Sequence, residues 1–209
     1  MKDILTPDKT LHIYIAPTEA DFNQAAAQII CKKVSELSER EEIEVPNITL
    51  ARGNTQTGIY EEIRRSPEML HILSEARFFQ LDEVYPAPKS FREFTEEEIL
   101  SSVFQGNIPS DRWIAFDTSI EPEEAIEKMR SEFDWYGKLN LAVLGIGAEG
   151  DDHYAQVASG ISTSTDIISP PLSDGMIASY AKYIGVSEDS NDLPTSGLSL
   201  AHGAMPDHL

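Results

Sequence analysis

The chain has one cysteine, Cys31, in 209 residues. No internal disulfide can form, so the fold must rest on a packed core, and a reducing, cytoplasmic setting is expected. Cys31 stands beside Ile29 and Ile30 among helical residues, which favours a small buried side chain over a nucleophile. No run of about 20 apolar residues is present, so no membrane-spanning helix is expected. The opening MKDILTPDKT lacks the apolar centre of a signal peptide. Basic residues are scarce as well: 16 Lys and Arg stand against 36 Asp and Glu, a net charge of −20. That balance argues against nucleic acid and against anionic membranes as partners. Much of the acidic excess is local, in EREEIE (39–44), EEE (96–98) and EPEEAIE (121–127), and reads as solvated faces. There is no internal repeat and no domain linker.

What is present suits one globular domain, residues 1–209, with 41% apolar residues to build its core. A short strand is expected at Leu11–Ile15. Thr18 and Asp21 make a capping-box pattern, and a helix follows whose core face is Phe22, Ala26, Ile29, Ile30, Val34 and Leu37. A strand at Val45–Leu50 precedes a helix at about Thr57–Arg65, and Ala76–Leu81 is a third strand that ends at Asp82 and Glu83. Thr95 and Glu98 form a second capping box, opening a helix through Phe104. Trp113–Phe116 is a strand, and Pro122 suits the first turn of a helix carrying Ile126, Met129, Arg130 and Phe133. Leu139–Leu144 is the most apolar strand and is expected at the sheet centre. A helix near Met176–Ile184, a polar loop at 185–197 and a strand near Leu198–Ala201 follow. Alternating strands and helices predict an α/β fold, a doubly wound, mostly parallel sheet flanked by helices. In such sheets ligands bind beyond the carboxyl ends of the strands.

Three constellations fall at those ends. In ARGNTQTG (51–58), Gly53 lets the backbone approach an anion, and Asn54 and Thr55 add donors at a helix start. It lacks the Gly-Lys-Ser/Thr ending of a P-loop, and a capped strand-to-helix turn explains it equally well. In LDE (81–83), Asp82 is placed as a general base, provided burial raises its pKa; a turn acid is the plainer reading. In GIGAEGDDHYA (145–155), Gly145 and Gly147 turn the chain sharply, and His153 beside Asp151 makes an oriented acid–base pair. A metal would need a further ligand, and no second histidine lies close in sequence.

The order strand-GNT-helix, FFQLDE, then LAVLGIG…DH resembles the glucosamine-6-phosphate deaminase and 6-phosphogluconolactonase superfamily, over roughly residues 10 to 207. GIYEEI (58–63), Ser90-Phe91-Arg92-Glu93-Phe94 and LSLAHGAMPD (198–207) are similar to the deaminase branch. Lactonases usually carry Arg after the Asp-Glu pair, where this chain has Val84. The resemblance implies a Rossmann-like sheet and a sugar-phosphate substrate. Gly53, Asn54 and Thr55 would line the phosphate site, Asp82 would move a proton between C1 and C2 of an open-chain amino sugar, Glu83 would support it, and His153 would help open the ring. It implies no metal and no organic cofactor. The family's Gly-x-Gly-x-Asp/Asn-Gly-His is altered here, so the acid beside the histidine is matched by Glu149, Asp151 or Asp152. Ala158 stands where deaminases have a Glu, and STST (162–165) offers no Arg. The chain is expected to lack the family's last strand and helix, and an uncovered sheet edge would favour a homo-oligomer. The implied activity is deaminase-type isomerisation with ammonia release. Lactone hydrolysis and sugar-phosphate binding without chemistry are the alternatives.

Overall fold

The computed structural model describes residues 2–5, 10–86, 88–145, 164–187 and 189–206. Strands β1 (Lys2–Leu5) and β2 (Thr10–Ile13) pair antiparallel and form a small sheet of their own. Helix α1 (Glu19–Ser38) opens at Thr18, whose hydroxyl oxygen accepts from the Asp21 amide, so the capping box forms as its sequence predicts. Then come β3 (Asn47–Leu50), α2 (Asn54–Arg64), α3 (Pro67–Ser74), β4 (Arg77–Phe79) and β5 (Asp82–Tyr85). Helix α4 (Phe91–Thr95) runs through a π-helical turn (Glu96–Leu100) into α5 (Ser101–Val103). The chain continues as β6 (Trp113–Ile114), α6 (Pro122–Tyr136), β7 (Leu141–Val143), β8 (Ile167–Ile168), α7 (Asp174–Ile184), β9 (Ser196–Leu200) and a 3-10 turn (His202–Ala204).

Four parallel strands form the main sheet in the order β6-β4-β3-β7. From β3 the chain steps outward through β4 to β6, then returns to the other side of β3 as β7. The sheet reverses direction between β3 and β7, and the crevice above their carboxyl ends is the topological switch point. Helices cover both faces. Phe78 enters a core with Val34, Ile48, Leu73 and Leu100, whereas Phe79 enters one with Phe116, Met129, Phe133 and Leu198. Adjacent strand residues point to opposite faces, so a strand buried on both sides must be apolar throughout. Phe79 stacks on Phe133 with ring centroids 4.8 Å apart.

The α/β class and the parallel sheet match the sequence reading, with several differences. β5, β9 and β8 form a separate antiparallel sheet in the order β5-β9-β8. Only Gln80 and Leu81 separate β4 from β5, too little chain for a parallel crossover. Asp82 and Glu83 therefore begin a new strand instead of ending the previous one. Helix α1 buries Ala27, Ile30, Cys31, Val34 and Leu37, and leaves Phe22 and Ile29 exposed. The helix carries two apolar stripes, and close packing on α2 selects the one with the smaller residues. A Cβ on Gly58 of α2 would stand 2.1 Å from the Asn23 amide nitrogen. Thr95 is no N-cap: its hydroxyl donates to the Phe91 carbonyl inside a helix already capped by Ser90. Strand β7 lies at the end of the order, not the centre, and its residues are half-buried. Its apolar run reflects two covered faces, with Leu141 and Val143 on one core and Ala142 and Leu144 on the other. Helix α3 is absent from the sequence reading, although Ser66 caps it and Pro67 opens its first turn. Among the described residues, no helix is long and apolar enough to cross a membrane.

Candidate active site at the carboxyl ends of the parallel strands

The turn from β3 to α2 forms one wall of the crevice. Gly53 has φ +136°, a conformation that side chains rarely tolerate, and Asn54 and Thr55 occupy the first turn of α2. The helix thus begins earlier than the sequence reading places it. Thr57 Oγ1 donates to the Gly53 carbonyl over 3.2 Å. The buried Tyr60 hydroxyl donates to the Ala51 carbonyl and ties α2 to the end of β3; burial pushes this phenol well above its usual range. The Ala51 amide donates to the Val143 carbonyl over 2.8 Å, locking β3 to β7 beside the crevice. Gln56 fills the space between Gly53 and Gly145. A Cβ on Gly53 would lie 3.2 Å from its Oε1, and one on Gly145 would lie 2.9 Å from its Nε2. Gly53 and Gly145, far apart in sequence, are thereby brought together across a single buried amide.

Asp82 and Glu83 form the opposite wall. Asp82 is half-buried and pairs in register with Ser199 of β9. Glu83 is fully buried. Its Oε1 accepts from the amides of Val84 and Phe91, each at 2.9 Å. Its Oε2 accepts from Gln80 Nε2 at 2.9 Å, Ser90 Oγ at 2.6 Å and the Arg92 amide at 2.9 Å. A carboxylate that anchors the first amides of α4 serves the anion preference of a helix N-terminus. Gln80, also buried, extends this network to the segment just after β6, since its Oε1 accepts from the Phe116 amide at 3.1 Å. Gln80 and Glu83 hold the strand ends beside Asp82 in place.

Arg52 joins the two walls, and sequence reasoning missed it. Its guanidinium carbon lies 3.1 Å from the Phe91 ring centroid, with Tyr183 at 5.6 Å and Phe94 at 5.8 Å. Its Nε is buried and has no hydrogen-bond partner among the described residues. Burial pulls this guanidinium below its ordinary pKa, and the Asp82 carboxylate opposes that shift. The available signal was a cation directly before Gly53 in a chain with few cations. Lys89 Nζ stands 4.6 Å from the Tyr183 ring centroid on the same side. Beneath these groups a cavity of about 10 Å³, lined by Leu50, Arg52, Gln80, Asp82 and Phe91, has room for no more than a water.

The structure therefore brings Gly53, Asn54, Thr55, Gly145, Asp82 and Glu83 to the carboxyl ends of β3, β4 and β7. Gly147, Glu149, Asp151, Asp152 and His153 lie outside the described residues. Among the described residues no group of three or more His, Cys, Asp or Glu could hold a metal.

No family model matches the chain. It is 28% identical over 163 residues to a glucosamine-6-phosphate deaminase of Alkaliphilus oremlandii, a match spanning 75% of this chain and 64%, less than two thirds, of that protein. A glucosamine-6-phosphate deaminase of Clostridium novyi is 23% identical over 189 residues, covering 86% of this chain and 73% of its own length. Among solved structures, a monomeric glucosamine-6-phosphate deaminase superposes with a TM-score of 0.73 at 19% identity, over 93% of this chain and 77% of that one. The 6-phosphogluconolactonase of Thermotoga maritima superposes with a TM-score of 0.61 at 23% identity, over 90% and 75%. By sequence the chain is similar to glucosamine-6-phosphate deaminases, and its fold is the one shared by the solved deaminase and 6-phosphogluconolactonase structures.

Proposed function

We propose that the chain acts on a sugar phosphate as a deaminase-type isomerase. The observation that carries this reading is the position of Asp82: a half-buried carboxylate just past the carboxyl end of β4, lining one small cavity with Arg52, the residue before Gly53. Asp82 takes the C2 proton of the open-chain amino sugar and returns it to C1. The adjacent carbonyl makes that proton acidic, so a positioned carboxylate suffices as base. The C1–C2 shift leaves an imine at C2; water adds there and ammonia departs. Glu83 serves by holding α4 and the strand end that carries Asp82. Gly53, Asn54 and Thr55 receive the phosphate at the start of α2. His153, oriented by Asp151 or Asp152 or with Glu149 in the acid's place, assists ring opening. Val84 supports the deaminase branch over the lactonase: it is buried against Phe91, Leu172 and Tyr180, where a charged arginine would have no solvent.

The test is to incubate the protein with glucosamine 6-phosphate and with 6-phosphogluconolactone, following ammonia in one and acid in the other. Ammonia release in the wild type that falls at least a thousandfold in Asp82→Asn is the expected result, on the order of 4 kcal/mol of barrier. Acid release above the spontaneous rate, without ammonia, would replace the deaminase by the lactonase. Neither product, with both compounds still raising the melting temperature, would mean a binding protein.

A further inference from the structure

The net charge of −20 sets a problem for any anionic substrate. A surface of that sign repels phosphate unless the site itself carries a cation. Arg52 meets the requirement in an unusual way. A guanidinium kept only for structure normally satisfies its donors, because a buried donor without a partner costs about 1–3 kcal/mol, and more when charged. Arg52 instead stacks on Phe91 at 3.1 Å and leaves its buried Nε without a partner among the described residues. Stacking fixes the plane of the fork, the geometry in which a guanidinium meets an oxyanion through two N–H groups. The next residue is Gly53, whose positive φ brings the chain into the first turn of α2. Lys89, on the Tyr183 ring that also borders Arg52, adds a second positive charge to this corner.

We propose that Arg52 is the phosphate-recognition residue of the Asp82 site, offering its stacked guanidinium to the phosphate group of the substrate alongside the first turn of α2. The proposal rests on the sugar-phosphate reading and adds to it the cation that determines selectivity for a phosphorylated sugar over the free one. Arg52 approaches the ligand directly, whereas Phe91 positions Arg52.

The test titrates inorganic phosphate and glucosamine 6-phosphate into wild type, Arg52→Met, Arg52→Lys and Asp82→Asn, each verified as folded by circular dichroism, using calorimetry. Arg52→Met keeps a flexible apolar stem against Phe91 and is expected to weaken both ligands about 30-fold, the loss of one charge-assisted contact. Arg52→Lys recovers part of the affinity, since charge remains but the planar fork does not. Asp82→Asn, which removes a negative charge near Arg52, binds phosphate at least as tightly as wild type. In the wild-type protein, the nitrogen–proton NMR signal of Arg52 Nε shifts on adding phosphate, a readout that needs no substitution at the site. Phosphate binding to Arg52→Met as tight as to wild type, or an Arg52 Nε signal indifferent to phosphate, would overturn the proposal. Arg52-dependent phosphate binding without turnover of any sugar phosphate would refute the enzymatic reading alone. Turnover insensitive to Arg52 would do the reverse.

Discussion

Replacing Glu83 by glutamine tests whether this buried carboxylate is a structural anchor. Among the described residues, hydrogen bonds reach the carboxylate at Oε1 from Val84 and Phe91 and at Oε2 from Gln80, Ser90 and Arg92. A glutamine amide can present an oxygen to only one of these sets. The less damaging choice keeps the oxygen at the Oε2 position and points the amide nitrogen at two backbone N–H groups. Hydrogen bonds to a charged acceptor are worth about 1.5–3 kcal/mol each, so losing two costs roughly 3–6 kcal/mol. Neutralising a fully buried charge returns part of its desolvation cost, on the order of 2 kcal/mol here. The net expectation for Glu83→Gln is a loss of about 1–4 kcal/mol and a fall in Tm of roughly 2–16 °C. Urea and thermal unfolding followed by circular dichroism measure the total. Amide exchange locates it, because the Phe91 and Arg92 amides lose protection first as the start of α4 opens. A Glu83→Gln protein within about 0.5 kcal/mol of wild type, with those two amides as protected as before, would refute the anchoring role.

Two further expectations concern packing and titration. Gly203→Ala would place a Cβ 2.8 Å from the Ser164 carbonyl oxygen and from backbone atoms of Thr165, so unfolding midpoints should show a loss of about 2–3 kcal/mol. Gly175→Ala, with no described atom outside its own stretch of α7 within 4 Å of the new methyl, should instead stabilise by about 0.5 kcal/mol in the same assay. The Cys31 thiol is buried, and burial pushes its pKa from 9.0 up to about 11. Its folded value lies above its unfolded one, so its contribution is whole below pH 9 and is lost as pH rises toward 11, on the order of 3 kcal/mol in all. A thiol reagent at pH 8 should accordingly react with Cys31 only as fast as the chain opens; rapid labelling of the native protein would contradict the buried position.

Much of this protein was legible in the residues themselves. Capping at Thr18, Pro122 at the start of α6 and the apolar strands at 45–50, 76–81 and 139–144 depend on neighbours within a few positions, and local chemistry decides them. The ordered motifs that carry the superfamily resemblance are likewise a property of the sequence. Tertiary packing decided the remainder. Helix α1 offers two apolar stripes, and only its approach to Gly58 of α2 determines that Ala27 and Cys31 turn inward while Phe22 turns out. Strand β7 is apolar because both its faces are covered, which says nothing of its rank in the sheet. Glu83 reads as an ordinary turn acid until the chain returns through Ser90 to place the amides of Phe91 and Arg92 against it. Arg52 reads as an ordinary surface cation until Phe91 and Tyr183, 39 and 131 residues further along, close around it. A sequence encodes local geometry directly, but the partner of a buried charge is set by which distant segments the completed core brings together.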